Sequence, residues 1–169
     1  MTWFEDLTPY MYIDTEPTNP PTLNVGWLAR GYEFAKGDLP QRFVSRLQKL
    51  CEHAPTQQTR GLHSCELCAG EIPFADDERH SSAEIRAVGA DGTRYAAPTL
   101  IVHYVTAHGY APPQVFVDAV LRMDPLAWEH ANAQQLCMSC GTKLVLNRRG
   151  GPVDFPWFSC EGCATTYWR

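Results

Sequence analysis

Six of the seven cysteines in this 169-residue sequence fall into three pairs two residues apart: Cys65/Cys68, Cys137/Cys140 and Cys160/Cys163. In a reducing compartment such pairs point to metal or redox chemistry rather than to disulfides. The last two pairs, Cys137-Met-Ser-Cys140-Gly141 and Cys160-Glu-Gly-Cys163, enclose nineteen residues, 141–159. That spacing matches a four-cysteine zinc signature. A two-residue gap lets both sulfurs of one turn face a single ion, and Gly141 can supply the unusual backbone angle such a knuckle needs. Two opposed knuckles complete a tetrahedron. Four protein ligands leave no open position, which is the arrangement of a structural Zn²⁺ site rather than a catalytic one.

The first pair has different prospective partners. Cys65-Glu66-Leu67-Cys68 is followed, after 34 intervening residues, by His103 and His108 on one short stretch. The order and end spacings fit a Cys₂His₂ site, although the gap is longer than in a classical zinc finger. The two histidines are five positions apart and so do not share a helix face. A helix that distorts at its end removes that mismatch, and Gly109 directly follows His108. A second Zn²⁺ is therefore expected on Cys65, Cys68, His103 and His108. His63 is the competing donor. It could replace one of the later histidines, or support a ligand from behind, beside Glu66.

Two further groups carry weaker chemistry. An enzyme built on the central module would need a base histidine and an open metal position. His80 is the unassigned histidine nearby, with Glu84 and Arg86 as possible polar partners, and the plain alternative is a loop histidine beside a solvated strand face. Arg148 and Arg149, next to Gly150-Gly151, sit where a hairpin tip is expected and could contact phosphate. No Ser/His/Asp order, phosphate-binding glycine loop or nucleotide fingerprint is present. Cys51 falls on an apolar helix face and reads as a small buried hydrophobe.

The elements that must position these groups can be read from periodicity. Residues 1–37 set aromatics among turn residues and read as an irregular segment wrapped over a core. Apolar positions Phe43, Val44, Leu47, Leu50 and Cys51 recur at helical spacing, with Asp38 as a candidate cap and an end before Pro55. Residues 82–88 alternate, with Ala83, Ile85 and Ala87 on one face and Glu84 and Arg86 on the other. Gly89-Ala90-Asp91-Gly92 is a turn signal, and a second strand follows from Thr93 to Ala96. Pro98 suits the first turn of a helix bearing Leu100, Ile101, Tyr104 and Val105, which Gly109 stops. Pro112-Pro113 opens another helix with Val115, Phe116, Ala119, Val120 and Met123 on one side, and a shorter one is expected around Trp128. Short strands are expected at 143–146, 155–159 and 165–168. This is an α+β chain: an N-terminal segment and helix over 1–60, a knuckle–hairpin–helix zinc module over 61–125, and a helix with a β ribbon over 126–169.

Composition narrows the functional class. The formal net charge is −5. Because coordinating cysteines are thiolates, a two-zinc protein would carry about −7. Residues 61–136 hold four Lys/Arg against ten Asp/Glu, while 137–169 hold four against two. That balance opposes non-specific nucleic-acid binding as the default. No apolar run is long enough for a transmembrane helix, and the N-terminus, Met1-Thr2-Trp3-Phe4-Glu5-Asp6, lacks the basic start and apolar run of a secretory signal. A cytoplasmic protein is expected.

Residues 137–169 resemble the zinc ribbons of transcription and RNA-handling proteins; rubredoxin-like iron uses the same ligands, and Trp157 is a residue type found near both. The central order of elements loosely resembles the ββα-metal scaffold of HNH-type nucleases. Asn24-Val25-Gly26-Trp27-Leu28, Gly61-x-His63-x-Cys65-x-x-Cys68, Glu84-Ile85-Arg86 and Tyr95-Ala96-Ala97-Pro98 continue into Ile101-Val-His103-Tyr104 and His108-x-Tyr110-x-Pro112-Pro113. Together they resemble a family of uncharacterised bacterial proteins of unknown function. The resemblance implies a bacterial origin and a metal on Cys65, Cys68, His103 and His108, and supplies no activity. Three functions compete on this reading: an interaction or adaptor protein with structural zinc and a protein partner, a nucleic-acid-binding regulator acting through Arg148 and Arg149, and an HNH-like nuclease.

Overall fold

The computed structural model describes residues 3–12, 21–59, 61–69, 77–123, 136–137, 140–147 and 157–168. The chain is α+β. Its central sheet joins β1 (Thr22–Asn24), β4 (Glu84–Val88) and β5 (Arg94–Pro98) in the order β1-β5-β4, with β4 and β5 antiparallel and β1 parallel to β5. The hairpin turns where Gly89, Asp91 and Gly92 announce it. Gly89 N–H donates to Thr93 O at 2.8 Å, Asp91 accepts from the backbone and hydroxyl of Thr93, and Gly92 takes φ 84°. Strand β1 falls in the segment expected to be irregular. Three residues are too few to show a period of two, and β1 gains its partner only through pairing Thr22 with Arg94 and Leu23 with Tyr95, far away in sequence.

One sheet face packs against three helices: α1 (Gln41–His53), α2 (Ile101–His108) and α3 (Gln114–Arg122). Ile85, Ala87, Tyr95 and Ala97 meet Phe43, Leu47, Leu50, Ile101, Phe116 and Val120 in one apolar cluster. The helix starts correct the sequence reading in two places. Asp38 does not cap α1; Pro40 does, with its carbonyl accepting from Phe43 N–H at 2.8 Å. Pro98 ends β5, paired with Glu84, and α2 begins later, at Ile101. The stop and the next start fall as expected: Gly109 closes α2 with φ 67°, and Pro113 precedes α3. The short helix expected around Trp128 lies outside the described residues.

The opposite face is the larger correction. Glu84 and Arg86 alternate away from the helices, as read, but they are not solvated: they are 2% and 5% exposed. The N-terminal segment covers them. Leu7 N–H donates to Asn24 O, Asn24 N–H to Thr8 O and Tyr10 N–H to Thr22 O, all at 2.8–2.9 Å. Tyr10, Trp27 and Ala96 then form a second apolar layer, flanked by Phe4 and Tyr12. Under it Arg86 pairs with Glu84, Tyr10 donates its hydroxyl to Glu84 Oε1 at 2.6 Å, and the guanidinium lies 4.6 Å over the Tyr10 ring. A buried charge needs a paired, hydrogen-bonded neighbour, and this trio supplies it. Gly26 lets α2 pack closely on the chain that leaves β1: at φ +71° an added Cβ would stand 2.8 Å from Ile101 Cδ1.

Two smaller sheets complete the framework. Strands β2 (His63–Ser64) and β3 (His80–Ser81) pair antiparallel beside the first cysteine pair. Strands β6 (Val145–Asn147), β7 (Trp157–Ser159) and β8 (Thr166–Trp168) form an antiparallel ribbon in that order. Its apolar cluster is small, with Cys137, Leu144, Phe158 and Cys160 buried and Cys163 beside them. The ribbon touches the larger unit through Gln57, whose N–H donates to Thr166 O at 3.0 Å and whose Oε1 accepts from the Thr166 hydroxyl.

Candidate metal centres

The eight residues singled out from spacing come together in two groups of four. Cys65, Cys68, His103 and His108 form one, and Cys137, Cys140, Cys160 and Cys163 the other; within each, the ligand atoms lie within 4.8 Å of one another. Either group could hold a metal ion.

In the central group, Cys65 arrives on the turn after β2, where its N–H donates to Arg79 O at 2.9 Å. His103 projects from the first turn of α2, and His108 is its last residue, just before left-handed Gly109. Helix α2 runs through both histidines, and their side chains bring the two rings together across the five-residue spacing. Both rings present Nε2. Cys65 Sγ is 3.3 Å from His108 Nε2, Cys68 Sγ is 3.2 Å from His103 Nε2, and the two Nε2 atoms are 3.2 Å apart. A tetrahedral Zn²⁺ with bonds of ~2.3 Å to sulfur and ~2.0–2.1 Å to nitrogen would set S···N edges of ~3.5 Å and N···N edges of ~3.3 Å. The donor set fits that ion. Burial lowers the pKa of His108, with Lys36 adding to the effect, which favours the neutral ring that metal ligation requires.

The ribbon group is built from two nearly identical turns. Gly141 N–H donates to Cys137 O and Ala164 N–H to Cys160 O, both at 2.8 Å; Cys137 N–H donates to Thr142 O and Cys160 N–H to Thr165 O. The fifth residue of each turn is left-handed, Gly141 at φ 72° and Ala164 at φ 56°. Cys137 Sγ lies 3.4 Å from Cys163 Sγ and Cys140 Sγ 3.4 Å from Cys160 Sγ. These separations are far longer than a disulfide of ~2.05 Å and within a few tenths of the ~3.8 Å edge of a Zn–S₄ tetrahedron. Without a cation the thiols share protons unequally. The Cys137 hydrogen bond pulls Cys163 down to about 4, while burial pushes Cys160 up. Four thiolates in contact need a positive ion to ionise together.

Several supporting residues escaped the sequence reading. Arg30 donates from Nε to Glu66 O at 2.9 Å and from Nη2 to Cys68 O at 3.2 Å, clamping the central knuckle. Thr142 Oγ1 and Thr165 Oγ1 stand 3.3 and 3.1 Å from Cys140 and Cys163 Sγ. That pair did leave a signal, since Cys140-Gly-Thr142 and Cys163-Ala-Thr165 are the same motif twice. Arg30 left none, as no local pattern links it to residue 66.

The competing donors stay outside the groups. His63 Nε2 faces the Tyr12 hydroxyl at 3.4 Å, and His80 Nδ1 faces Ser64 Oγ at 2.9 Å. Glu84 and Arg86 are committed to each other and to Tyr10. Burial pushes the Cys51 thiol strongly up, in keeping with an inert hydrophobe. Arg148 and Arg149 lie outside the described residues. Among the described residues no helix is long and apolar enough to cross a membrane.

A family described as "Domain of unknown function (DUF7919)" matches residues 2–121. The chain belongs to this family. The DUF7919 match takes in all four members of the central group and the clamp Arg30, and ends before the first ribbon cysteine. No curated protein and no solved structure matches the chain.

Proposed function

We propose that this DUF7919 protein is a zinc-stapled interaction protein of the bacterial cytoplasm, with one structural Zn²⁺ in each group and a protein as its partner. The observation that carries this reading is closure: each group offers four protein donor atoms within 4.8 Å of one another. A catalytic zinc keeps a position for water or substrate, and here filling the tetrahedron uses every site. The mixture of thiolate and imidazole in one group and four thiolates in the other favours zinc over hard cations. Seven free cysteines suit a reducing compartment. Net charge favours a protein partner over nucleic acid: the formal value is −5, and zinc thiolates make it more negative.

The test is metal content per chain on untagged protein, with single alanine changes at Cys68, His103, His108 and Cys140. Two zincs in the parent and one in each variant are expected. One zinc in the parent, unchanged by His103→Ala or His108→Ala, would refute the central site and with it the interaction reading.

A further inference from the structure

The seven cysteines are not equally reachable. Cys140 is the one exposed cysteine, while Cys137 and Cys160 of the same ribbon group are each 1% exposed and Cys163 is half-buried. In the central group Cys65 is buried, Cys68 is half-buried, and Arg30 holds the Cys68 carbonyl. The opposite turn of the ribbon contributes to the openness of Cys140. A Cβ added to Gly162 would stand 3.3 Å from Cys140 Sγ, so the bare glycine leaves the approach to that sulfur clear.

We infer that Cys140 is a site of reversible oxidation by hydroperoxides, and that its disulfide with Cys160 releases the ribbon's zinc and undocks the ribbon. The inference rests on the zinc-ribbon reading above and adds a reaction to it. The thiolate is the reactive form of cysteine, and an exposed one is oxidised ahead of a buried one. Four thiolates leave the ribbon group net negative around Zn²⁺, whereas two thiolates and two imidazoles only balance the ion, so the ribbon sulfurs are the more electron-rich. A partner sulfur is already in place. Cys160 Sγ lies 3.4 Å from Cys140 Sγ on the opposite turn, and closing that gap to ~2.05 Å makes a disulfide across the ribbon. The Cys68 sulfur instead faces the imidazoles of His103 and His108, at 3.2 and 3.5 Å, which form no such bond.

One peroxide balances the reaction. The Cys140 thiolate attacks a peroxide oxygen, forming S–OH and releasing hydroxide as the O–O bond breaks. The Cys160 thiolate then attacks the Cys140 sulfur, forming the S–S bond and expelling a second hydroxide. Two electrons pass from the two sulfurs to the peroxide, whose oxygens end as water after protonation by solvent. Cys137 and Cys163 take up protons, and a Zn²⁺ left with two thiols for donors departs. The ribbon buries only Leu144 and Phe158 besides cysteines among the described residues, so it loses strand order with its ion. The loss reaches the larger unit at Gln57, whose N–H donates to Thr166 O at 3.0 Å; its neighbour Thr56 exchanges both backbone bonds with Glu84 of β4, at 2.7 and 2.8 Å. Undocking frees Gln57, left-handed at φ 50°, from a contact that holds it there.

The test treats the full, reduced, metal-loaded chain with excess hydrogen peroxide, and follows zinc with a colorimetric indicator and thiols by mass spectrometry of alkylated peptides. One zinc per chain should be released first, with the Cys140 peptide linked to the Cys160 peptide, and dithiothreitol with added Zn²⁺ should reverse both. Amide signals of Gln57 and Thr166 should shift on release while those of Ile85 and Tyr95 stay. Cys140→His keeps four donors without the exposed thiolate and should slow release about tenfold or more. Should that variant fail to load zinc, the disulfide map of the parent decides by itself. A reduced parent holding one zinc would sink the underlying zinc reading, whereas a two-zinc parent that keeps both ions under peroxide would overturn this inference alone. Earlier release from the centre, with Cys65 linked to Cys68, or release from loaded Cys140→His at the parent rate, would overturn the assignment to Cys140. Unmoved Gln57 signals after release would overturn the undocking.

Discussion

The two metal groups have the same number of donors but stand in different amounts of protein. Around Cys65, Cys68, His103 and His108 lies a core of three helices and a sheet, with Tyr104 fully buried beside the ligands and Arg30 clamping the knuckle from outside. Around Cys137, Cys140, Cys160 and Cys163 there is a three-stranded ribbon whose buried apolar side chains, other than cysteine, are Leu144 and Phe158 among the described residues. The difference bears on what a bound ion would do in each. A small module that cannot bury enough apolar surface draws its stability from the ion, whereas a module with its own core uses the ion to fix one region of an already favourable fold.

The largest expected effect follows directly. Stripping zinc with a strong chelator, or Cys160→Ala alone, should abolish strand order in the ribbon, because metal binding in such modules is worth on the order of 10 kcal/mol. Amide spectra should lose dispersed signals from 140–147 and 157–168 while those of 84–98 persist in the variant. The matching central change, His103→Ala, should lower the melting temperature and broaden signals around α2 while leaving the sheet folded. Equal collapse of both regions in either variant would erase the distinction between them.

Next in size is Glu84→Ala, which strands Arg86 in the buried layer. It should cost about 3–5 kcal/mol of core stability by denaturant unfolding. Zinc content should remain at two, since the trio touches neither donor group. A smaller effect tests the twin turns of the ribbon. Ala164 occupies the left-handed position that Gly141 fills in the other turn. Ala164→Gly should therefore raise ribbon stability by ~1 kcal/mol, and Gly141→Ala should lower it by a similar amount or more. Competition with a zinc chelator reads both as shifts in apparent metal affinity.

The smallest effect concerns pH. Burial raises the Asp6 carboxyl above its usual range, against the bonds it accepts from Gly26 N–H and the Tyr110 hydroxyl. A raised carboxyl pKa contributes stability that is present below the usual carboxylate range and lost as pH rises through the raised value. Core stability should thus decline slightly across that window, and Asp6→Asn should flatten the decline. An unchanged slope in the variant would assign it to other groups.

The two groups also differed in how far sequence alone could describe them. The ribbon ligands lie in two compact turns whose spacing encodes their geometry, so Cys137 to Cys163 could be read directly. The central ligands are split by 34 residues, and only the type and order of Cys65, Cys68, His103 and His108 suggested their meeting. Helices and the hairpin showed in periodicity and in Gly109 and Gly92. Burial of Glu84 and Arg86 did not show, because alternation tells which face a residue takes and not what covers that face. The cover, residues 4–12, has no period of its own and is placed by pairing with β1. Arg30 and Gln57 were invisible for the same reason: their partners, Glu66 and Thr166, are chosen by tertiary approach.

X-ray absorption at the zinc edge of the untagged, fully loaded protein tests the central claim most directly. One Cys₂His₂ and one Cys₄ site predict an average zinc shell of about three sulfurs at ~2.3 Å and one nitrogen at ~2.0–2.1 Å, with no water oxygen. A substantial oxygen shell, or a sulfur-only shell accompanied by one zinc per chain, would contradict two closed structural centres.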